Sequence, residues 1–122
     1  MVLQACAVAE EVCKQPWETY LLGADNSHVL HEGEYVLLGA SDITAVDKNG
    51  ADASADVLDN GDKVILTADE EDITTDPITN GMLATRIKAG TEALSKYKIT
   101  FRAVTSLDNQ YETDVRMKIK DT

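Results

Sequence analysis

The chain has few basic residues for its length, and this scarcity excludes one class of partner. Its 122 residues include 11 Lys and Arg against 22 Asp and Glu, a net charge of −11 at pH 7. A protein that binds the phosphate backbone of nucleic acid or an anionic membrane needs cationic groups that displace counterions. We therefore expect neither nucleic acid nor a membrane among the partners.

Long apolar segments are also missing. No run reaches the ~18–20 apolar residues of a membrane span. Residues 1–13 lack the basic start and apolar centre of a secretory signal peptide, so we expect no Sec-dependent export. The composition, with 43% hydrophobic and 27% charged residues, is sufficient for a single packed domain.

Cysteine is scarce, and its spacing excludes a structural metal site. Cys6 and Cys13 do not form a C-x-x-C pair, and there is no second pair to complete a tetrahedral zinc site. Together with Val2 and Ala9 they recur at helical spacing, which predicts a short N-terminal helix within residues 1–15. In that helix the cysteines would be reduced and packed. The alternative is an extended arm that docks on a neighbouring subunit.

Residues 16–122 predict an all-β domain. Short segments rich in β-branched and aromatic residues are separated by turn residues, including three Asn-Gly pairs that favour tight chain reversals. These pairs are Asn49-Gly50, Asn60-Gly61 and Asn80-Gly81. About seven strands indicate a single Ig-like antiparallel β-sandwich. The predicted strands are Trp17–Leu22, Glu34–Leu38, Asp42–Asp47, Lys63–Ala68, Leu83–Lys88, Lys96–Thr105 and Tyr111–Lys120.

The last two predicted strands have the clearest pattern. Both alternate apolar with mostly charged residues, which predicts a hairpin with one buried and one exposed face. The predicted core residues of this hairpin are Tyr97, Ile99, Phe101, Val115, Met117 and Ile119. A five-residue loop from Ser106 to Gln110 keeps these residues on one face.

That loop also predicts cross-strand partners. Phe101 would oppose Val115, Ile99 would oppose Met117, and Tyr97 would oppose Ile119.

On the exposed face of the hairpin, Arg102 would lie across from Asp114 and Lys98 across from Lys118. The two opposed lysines suggest a surface that accepts an acidic partner. Trp17, the only tryptophan, is predicted to be a core or interface anchor. Trp17, Lys98 and Lys118 are therefore the predicted interaction residues.

The C-terminal third carries a recognisable order of residues. It consists of Gly90-Thr91, Tyr97-Lys98-Ile99-Thr100, Thr105-Ser106-Leu107-Asp108-Asn109, Tyr111-Glu112 and the alternating strand through Val115 and Ile119. This order resembles the C-terminal pattern of a family of small bacteriophage and prophage proteins. The similarity departs from the family at 107–110 and at Glu92-Ala93, both in turns.

The resemblance implies a non-enzymatic β-sandwich component of the head, neck or tail of a virion. Such a component is assembled in the host cytoplasm, is present in many copies and contacts other virion proteins. We expect homo-oligomeric or multi-copy assembly on that basis.

Charge is distributed unevenly along the chain. Residues 1–61 hold two basic and eleven acidic side chains, whereas residues 62–122 hold nine and eleven. One interpretation is a solvated surface on which the two halves mix. The other is that stacked copies meet, with the acidic face of one against the basic edge of the next.

Patterns that carry catalytic or metal chemistry are weak. His28 and His31 lie near Asp25, Glu32 and Glu34, but an acidic, glycine-flanked segment of this kind is typical of an exposed loop. Two acidic groups could attract calcium, yet neither follows the EF-hand pattern, and solvated turns are favoured. Those groups are Asp69, Glu70, Glu71, Asp72 and Asp76, and Asp47, Asn49, Asp52 and Asp56.

Neither a Gly-x-Ser-x-Gly motif nor a phosphate-binding glycine loop is present. We therefore predict no catalytic residue, no metal site and no cofactor. Two alternatives stay open. One is an Ig-like cell-surface adhesion or carbohydrate-binding module with Trp17 exposed beside tyrosines. The other is a hydrolase that uses His28 or His31 with an acidic neighbour.

Overall fold

Two four-stranded β-sheets make up most of the computed structural model, which describes residues 3–6, 10–14, 20–26, 30–67, 71–75, 81–88 and 96–119. The prediction of an all-β sandwich is confirmed. The strands are β1 (Leu3–Cys6), β2 (Glu10–Lys14), β3 (Tyr20–Ala24), β4 (Asp42–Asp47), β5 (Leu58–Leu66), β6 (Met82–Ile87), β7 (Lys96–Val104) and β8 (Gln110–Ile119). A 3-10 helix at Leu38–Ala40 and a single turn of helix, α1 (Ser54–Val57), flank β4. Among the described residues, no helix has the length and hydropathy of a membrane span.

The first sheet has the strand order β1-β3-β6-β5 and the second β2-β8-β7-β4. Some consecutive strands, such as β1 and β2 or β3 and β4, are thus divided between the two layers of the sandwich, and β1 and β2 each lie at one edge of their sheet. The β1–β3 and β2–β8 pairs are parallel, and the other described pairs are antiparallel. The second sheet is therefore built around the β7–β8 hairpin, with β4 on one side and β2 on the other.

Residues 3–6 and 10–14 form strands and not the predicted N-terminal helix, and they pair within their own chain, whereas the alternative prediction was an arm that docks on a neighbouring subunit. β1 and β2 lie in different sheets and pair with β3 and β8 of the same chain. A segment of fewer than ~12–15 residues forms a marginal helix in water. Pairing instead satisfies the backbone groups of two sheet edges, which would otherwise stay open.

The core lies between the sheets, and both sheets contribute to it. Every predicted core residue of the hairpin is buried, with Tyr97 the most exposed at 8%. These side chains pack in one cluster with residues of the first sheet, including Leu22, Ile65, Leu83 and Ile87. Burial of alternate residues fixes which face of each strand points inward.

The predicted hairpin forms with the correct faces, but its register differs by two residues. Phe101 opposes Thr113 rather than Val115, and Val115 opposes Ile99. Met117 opposes Tyr97 rather than Ile99.

The exposed pairs shift in the same way: Arg102 opposes Glu112 rather than Asp114, and Lys98 opposes Arg116 rather than Lys118. The loop has the predicted five residues but begins one residue earlier, at Thr105, because Val104 and Gln110 close the ladder.

The remaining predictions on strands, turns and single residues have different outcomes. The segment predicted as strand Glu34–Leu38 makes only one bridge, between Val36 and Thr105, before the 3-10 helix begins. Asn49-Gly50 does reverse the chain, with Gly50 at a φ of 80°. Asn60-Gly61 lies inside β5, where the pairing with β6 shifts register. Trp17, His28 and Asn80 lie outside the described residues.

Candidate functional site

The exposed face of the β7–β8 hairpin changes along its length. Near the β7–β8 turn, opposed side chains are complementary. Arg102 Nε lies 3.9 Å from Glu112 Oε2, and Thr100 Oγ1 donates a hydrogen bond of 2.8 Å to Asp114. In this half of the face, opposed side chains are thus complementary, although Arg102 and Glu112 are both 55% exposed and interact weakly.

The other half of the same face carries opposed cations. Lys98 lies opposite Arg116, and Lys96 lies opposite Lys118. All four side chains are exposed. Directly opposed like charges on a sheet are destabilising, by roughly 0.2–1 kcal/mol per pair. The predicted pair of Lys98 and Lys118 is thus replaced by two like-charged pairs that together form a larger cationic surface.

These cations border a shallow cavity of about 490 Å³ on the second sheet. We call this surface the basic groove and define it by five cations: Lys48, Lys96, Lys98, Arg116 and Lys118. Each cation is exposed. None of them forms an ion pair or side-chain hydrogen bond within the described part of the chain.

Acidic side chains near the groove are few. Asp47 lines it, and Asp47 Oδ1 accepts the backbone N–H groups of Asn49 and Ala51 at 2.8 and 3.0 Å, which fixes the turn after β4. Asp52, which is exposed, is bridged to Val46, which lines the cavity as well. On β2, Glu11 lies opposite Arg116 in the backbone register. The groove therefore keeps an excess of positive charge in a protein whose net charge is strongly negative.

Six of the seven exposed carboxylates that the structure describes lie at the opposite end of the sandwich, the exception being Asp52. The start of β4, the end of β5 and the β7–β8 turn meet there, since Asp42 opposes Arg102 and Lys63 Nζ donates to the Ser41 carbonyl. We call this region the acidic end and define it by its exposed carboxylates: Glu32, Asp42, Glu71, Asp72, Asp108 and Glu112. The described charges thus separate along the strand axis, and this separation does not follow the two sequence halves, because Glu71, Asp72, Asp108 and Glu112 all belong to the second half.

A second polar site lies inside the acidic end, around Glu34. This side chain is fully buried. Its carboxylate accepts hydrogen bonds from the Thr105 hydroxyl, from Asn109 Nδ2 at 2.9 Å and from the His31 backbone N–H at 2.9 Å. His31 Nδ1 lies 3.1 Å away, and the Tyr111 hydroxyl donates at 3.4 Å.

The cluster around Glu34 is a structural support for the β7–β8 turn. The Thr105 hydroxyl also accepts the backbone N–H groups of Leu107 and Asn109, both at 3.3 Å. Through Thr105 and Asn109, the Glu34 carboxylate therefore anchors the β7–β8 loop. The Thr105 hydroxyl is the main reason that the pKa of Glu34 is lowered to about 2, and the other donors reinforce it against the effect of burial. Burial, with the nearby charge of Glu34, raises the pKa of Tyr111.

Among the metal and acid–base candidates from the sequence, the structure brings His31 and Glu34 together, with His31 Nδ1 3.1 Å from the carboxylate, but no third candidate ligand joins them among the described residues. Glu34 points inward with its oxygens occupied, whereas the His31 side chain is 69% exposed. Asp52 and Asp72 each accept the backbone N–H group two residues later, at 3.0 and 2.9 Å. The pKa of Asp52 is lowered by the backbone N–H and the side chain of Ser54, and the pKa of Asp72 by the side chain and the backbone N–H of Thr74. No cluster of three metal-ligating side chains occurs among the residues described.

The burial of Glu34 and three of the five cations of the basic groove were not predicted from the sequence. A usable signal existed for Glu34, because in an extended segment it shares a face with Val36, two residues later, which is buried. For the groove, Lys98 and Lys118 were predicted interaction residues, and the structure adds Lys96 and Arg116 beside them.

Comparisons of this chain with family models, with curated proteins and with solved structures found no significant match.

Proposed function

We propose that this protein is a non-enzymatic structural component of a bacteriophage or prophage particle that binds a neighbouring protein through the basic groove. The observation that supports it is the groove itself: two opposed like-charged pairs on the exposed face of an acidic sandwich. Directly opposed like charges reduce the stability of a sheet, and such violations of local rules are expected at functional sites, where a partner of opposite charge binds. The C-terminal resemblance suggests the setting of a virion.

The described side chains favour binding over catalysis. General acid–base chemistry needs a titratable group in a cavity with a pKa near the working pH. The pKa of Glu34 is lowered to about 2, away from neutrality, and its carboxylate oxygens are occupied by donors. The basic groove holds lysines and an arginine on an open sheet surface, which suits charge recognition.

The groove fits an acidic protein surface. Its cations come from three separate segments of chain and present several point charges across a broad area, as rim contacts between proteins do. The net charge of −11 opposes the approach of a long polyanion such as nucleic acid, since the repulsion acts along its whole length.

Incorporation into particles tests this function. Tagged protein is expressed in cells that release the particle, the particles are purified by density, and the chain is quantified by mass spectrometry. We expect multiple copies per particle. The variant Lys98→Glu should be lost from the particles, whereas Arg102→Glu, an identical charge change on the same sheet face, should be retained. Particles without the wild-type chain, or equal retention of both variants, would contradict the proposed function.

A further inference from the structure

We infer that the basic groove of one molecule binds the acidic end of a second copy of this chain. This inference rests on the proposed function, because it names the partner that the groove takes. The carboxylates that face the groove then come from a second copy of the same chain, so that a multi-copy assembly needs no separate adaptor protein.

Charge complementarity is the first argument. The basic groove contributes five exposed cations, and the acidic end contributes six exposed carboxylates. Among the latter, Glu112 has Arg102 as a neighbour at 3.9 Å, but both side chains are 55% exposed and so hold each other weakly. Both surfaces therefore carry charge that their own molecule does not neutralise.

Distance within one molecule is the second argument. β7 runs for nine residues from the groove to the acidic end. At ~3.4 Å per residue, Lys96 at the far side of the groove lies roughly 27 Å from the end of β7, whereas the nearest members of the two surfaces, Arg116 and Glu112, are four residues apart on β8, about 14 Å. Both distances exceed the Debye length of ~8 Å at physiological ionic strength, so screening weakens attraction between the two surfaces within a monomer. Contact between two molecules brings the opposite charges closer together.

The polarity of the hairpin face is the third argument. The complementary pairs lie at one end of this face and the like-charged pairs at the other. A second copy that presents its turn end to the groove would place carboxylates against cations. If instead two copies met side by side with their hairpin faces aligned in the same direction, cations would lie against cations, and electrostatic complementarity excludes that packing. Each molecule thus offers one groove and one acidic end to its neighbours.

Molar mass in solution, measured by light scattering at low and high salt, provides the test. We expect wild-type protein to self-associate at low salt and to dissociate as salt screens the contact. The groove variant Lys98→Glu/Arg116→Glu and the end variant Glu32→Lys/Glu112→Lys should each weaken association by about tenfold or more. All four substituted side chains are exposed, and unfolding curves verify that both variants fold.

Mixing the variants makes the test specific. The end variant keeps a normal groove and the groove variant keeps a normal acidic end, so an equimolar mixture should form a one-to-one complex although neither associates alone. A variant with all four reversals should regain association. Arg102→Glu is the matched control, because it leaves the groove intact and adds negative charge at the acidic end.

Monomeric wild-type protein at low salt, or a mixture of variants that stays monomeric, would overturn the inference. If the wild type stays monomeric but binds DNA through Lys98 and Arg116, the groove is a polyanion site, and the inference is again wrong. If the wild type stays monomeric and Lys98→Glu is lost from particles, the proposed function survives and the groove takes another virion protein. Self-association together with absence from particles would refute the proposed function alone.

Discussion

Replacing Glu34 by Gln should remove a pH-dependent part of the stability of this protein. The buried carboxylate accepts hydrogen bonds from several groups at once, including Thr105 and Asn109. A glutamine side chain has the same shape but offers one acceptor oxygen, and its NH₂ group would face other donors. At neutral pH we therefore expect the variant to unfold more readily than the wild type.

The pKa of Glu34 sets the size and direction of this effect. In the folded protein its pKa is lowered from 4.5 to about 2. The stabilisation is fully present above the unfolded pKa, and it is lost as the pH falls from about 4.5 towards 2, because the unfolded chain takes up the proton first. A displacement of this size changes the equilibrium constant for unfolding by up to about two orders of magnitude.

Urea unfolding followed by far-UV circular dichroism, repeated from about pH 6 to about pH 3, measures this difference. The wild type and Glu34→Gln should differ most at the upper pH and converge at the lower one. Glu32→Gln, which alters an exposed carboxylate two residues away, should follow the wild type throughout. If Glu34→Gln loses stability in parallel with the wild type as the pH falls, the buried carboxylate does not carry the pH dependence, and the reasoning fails.

Three other substitutions test the turn and the core. Thr105→Val removes the hydroxyl that links Glu34 to the β7–β8 loop and should lower the free energy of unfolding by about 1–3 kcal/mol. Thr105→Ser keeps a hydroxyl and should retain most of this stability, and equal effects of the two substitutions would contradict the role of the hydroxyl. Gly50→Ala forces a side chain into a φ of 80° after β4 and should cost about 1 kcal/mol in thermal or urea unfolding; an unchanged midpoint would mean that the turn relaxes. Phe101→Ala empties a fully buried position and should cost about 3–5 kcal/mol, and a loss below about 1 kcal/mol would place Phe101 outside the core.

The hairpin could be predicted because its information is local. Alternation of apolar and charged residues from Lys96 to Val104 and from Gln110 to Ile119 assigns each side chain to a face whatever the rest of the chain does. Two registers that differ by two residues satisfy this alternation equally well. The choice between them depends on Thr105, whose contact with Glu34 joins residues 71 positions apart in the sequence.

The N-terminal segment shows the opposite case. Apolar residues at helical spacing are weak evidence for a helix in so short a segment, because a short helix forms few hydrogen bonds. The open edges of β3 and β8 offer a complete ladder instead, and these edges exist only in the folded sandwich. No local property of residues 1–15 contains that information.

The basic groove was partly predictable for the same reason as the hairpin. Alternation placed Lys98 and Lys118 on the exposed face, whereas Lys48 joins them only because β4 pairs with β7. The uneven charge of the two sequence halves did not predict the acidic end, because four of its six carboxylates belong to the second half. The topology brings these carboxylates and those of Glu32 and Asp42 to the end that holds the β7–β8 turn.

If the like-charged pairs are kept for binding, removing one of them should stabilise the isolated molecule. Lys98→Glu places a carboxylate opposite Arg116 and replaces a repulsive cross-strand pair with an attractive one, which should raise the free energy of unfolding by about 0.2–1 kcal/mol. Arg102→Glu makes the opposite change, because it places two carboxylates in opposition at Glu112, and it should lower the stability by a similar amount. Urea unfolding at low salt and low protein concentration, where the protein is monomeric, compares the two. The variant that strengthens the monomer is then the one that loses association, which is the trade-off expected of a binding surface. A Lys98→Glu protein less stable than the wild type under these conditions would mean that the cations are held by contacts within the molecule and are not reserved for a partner.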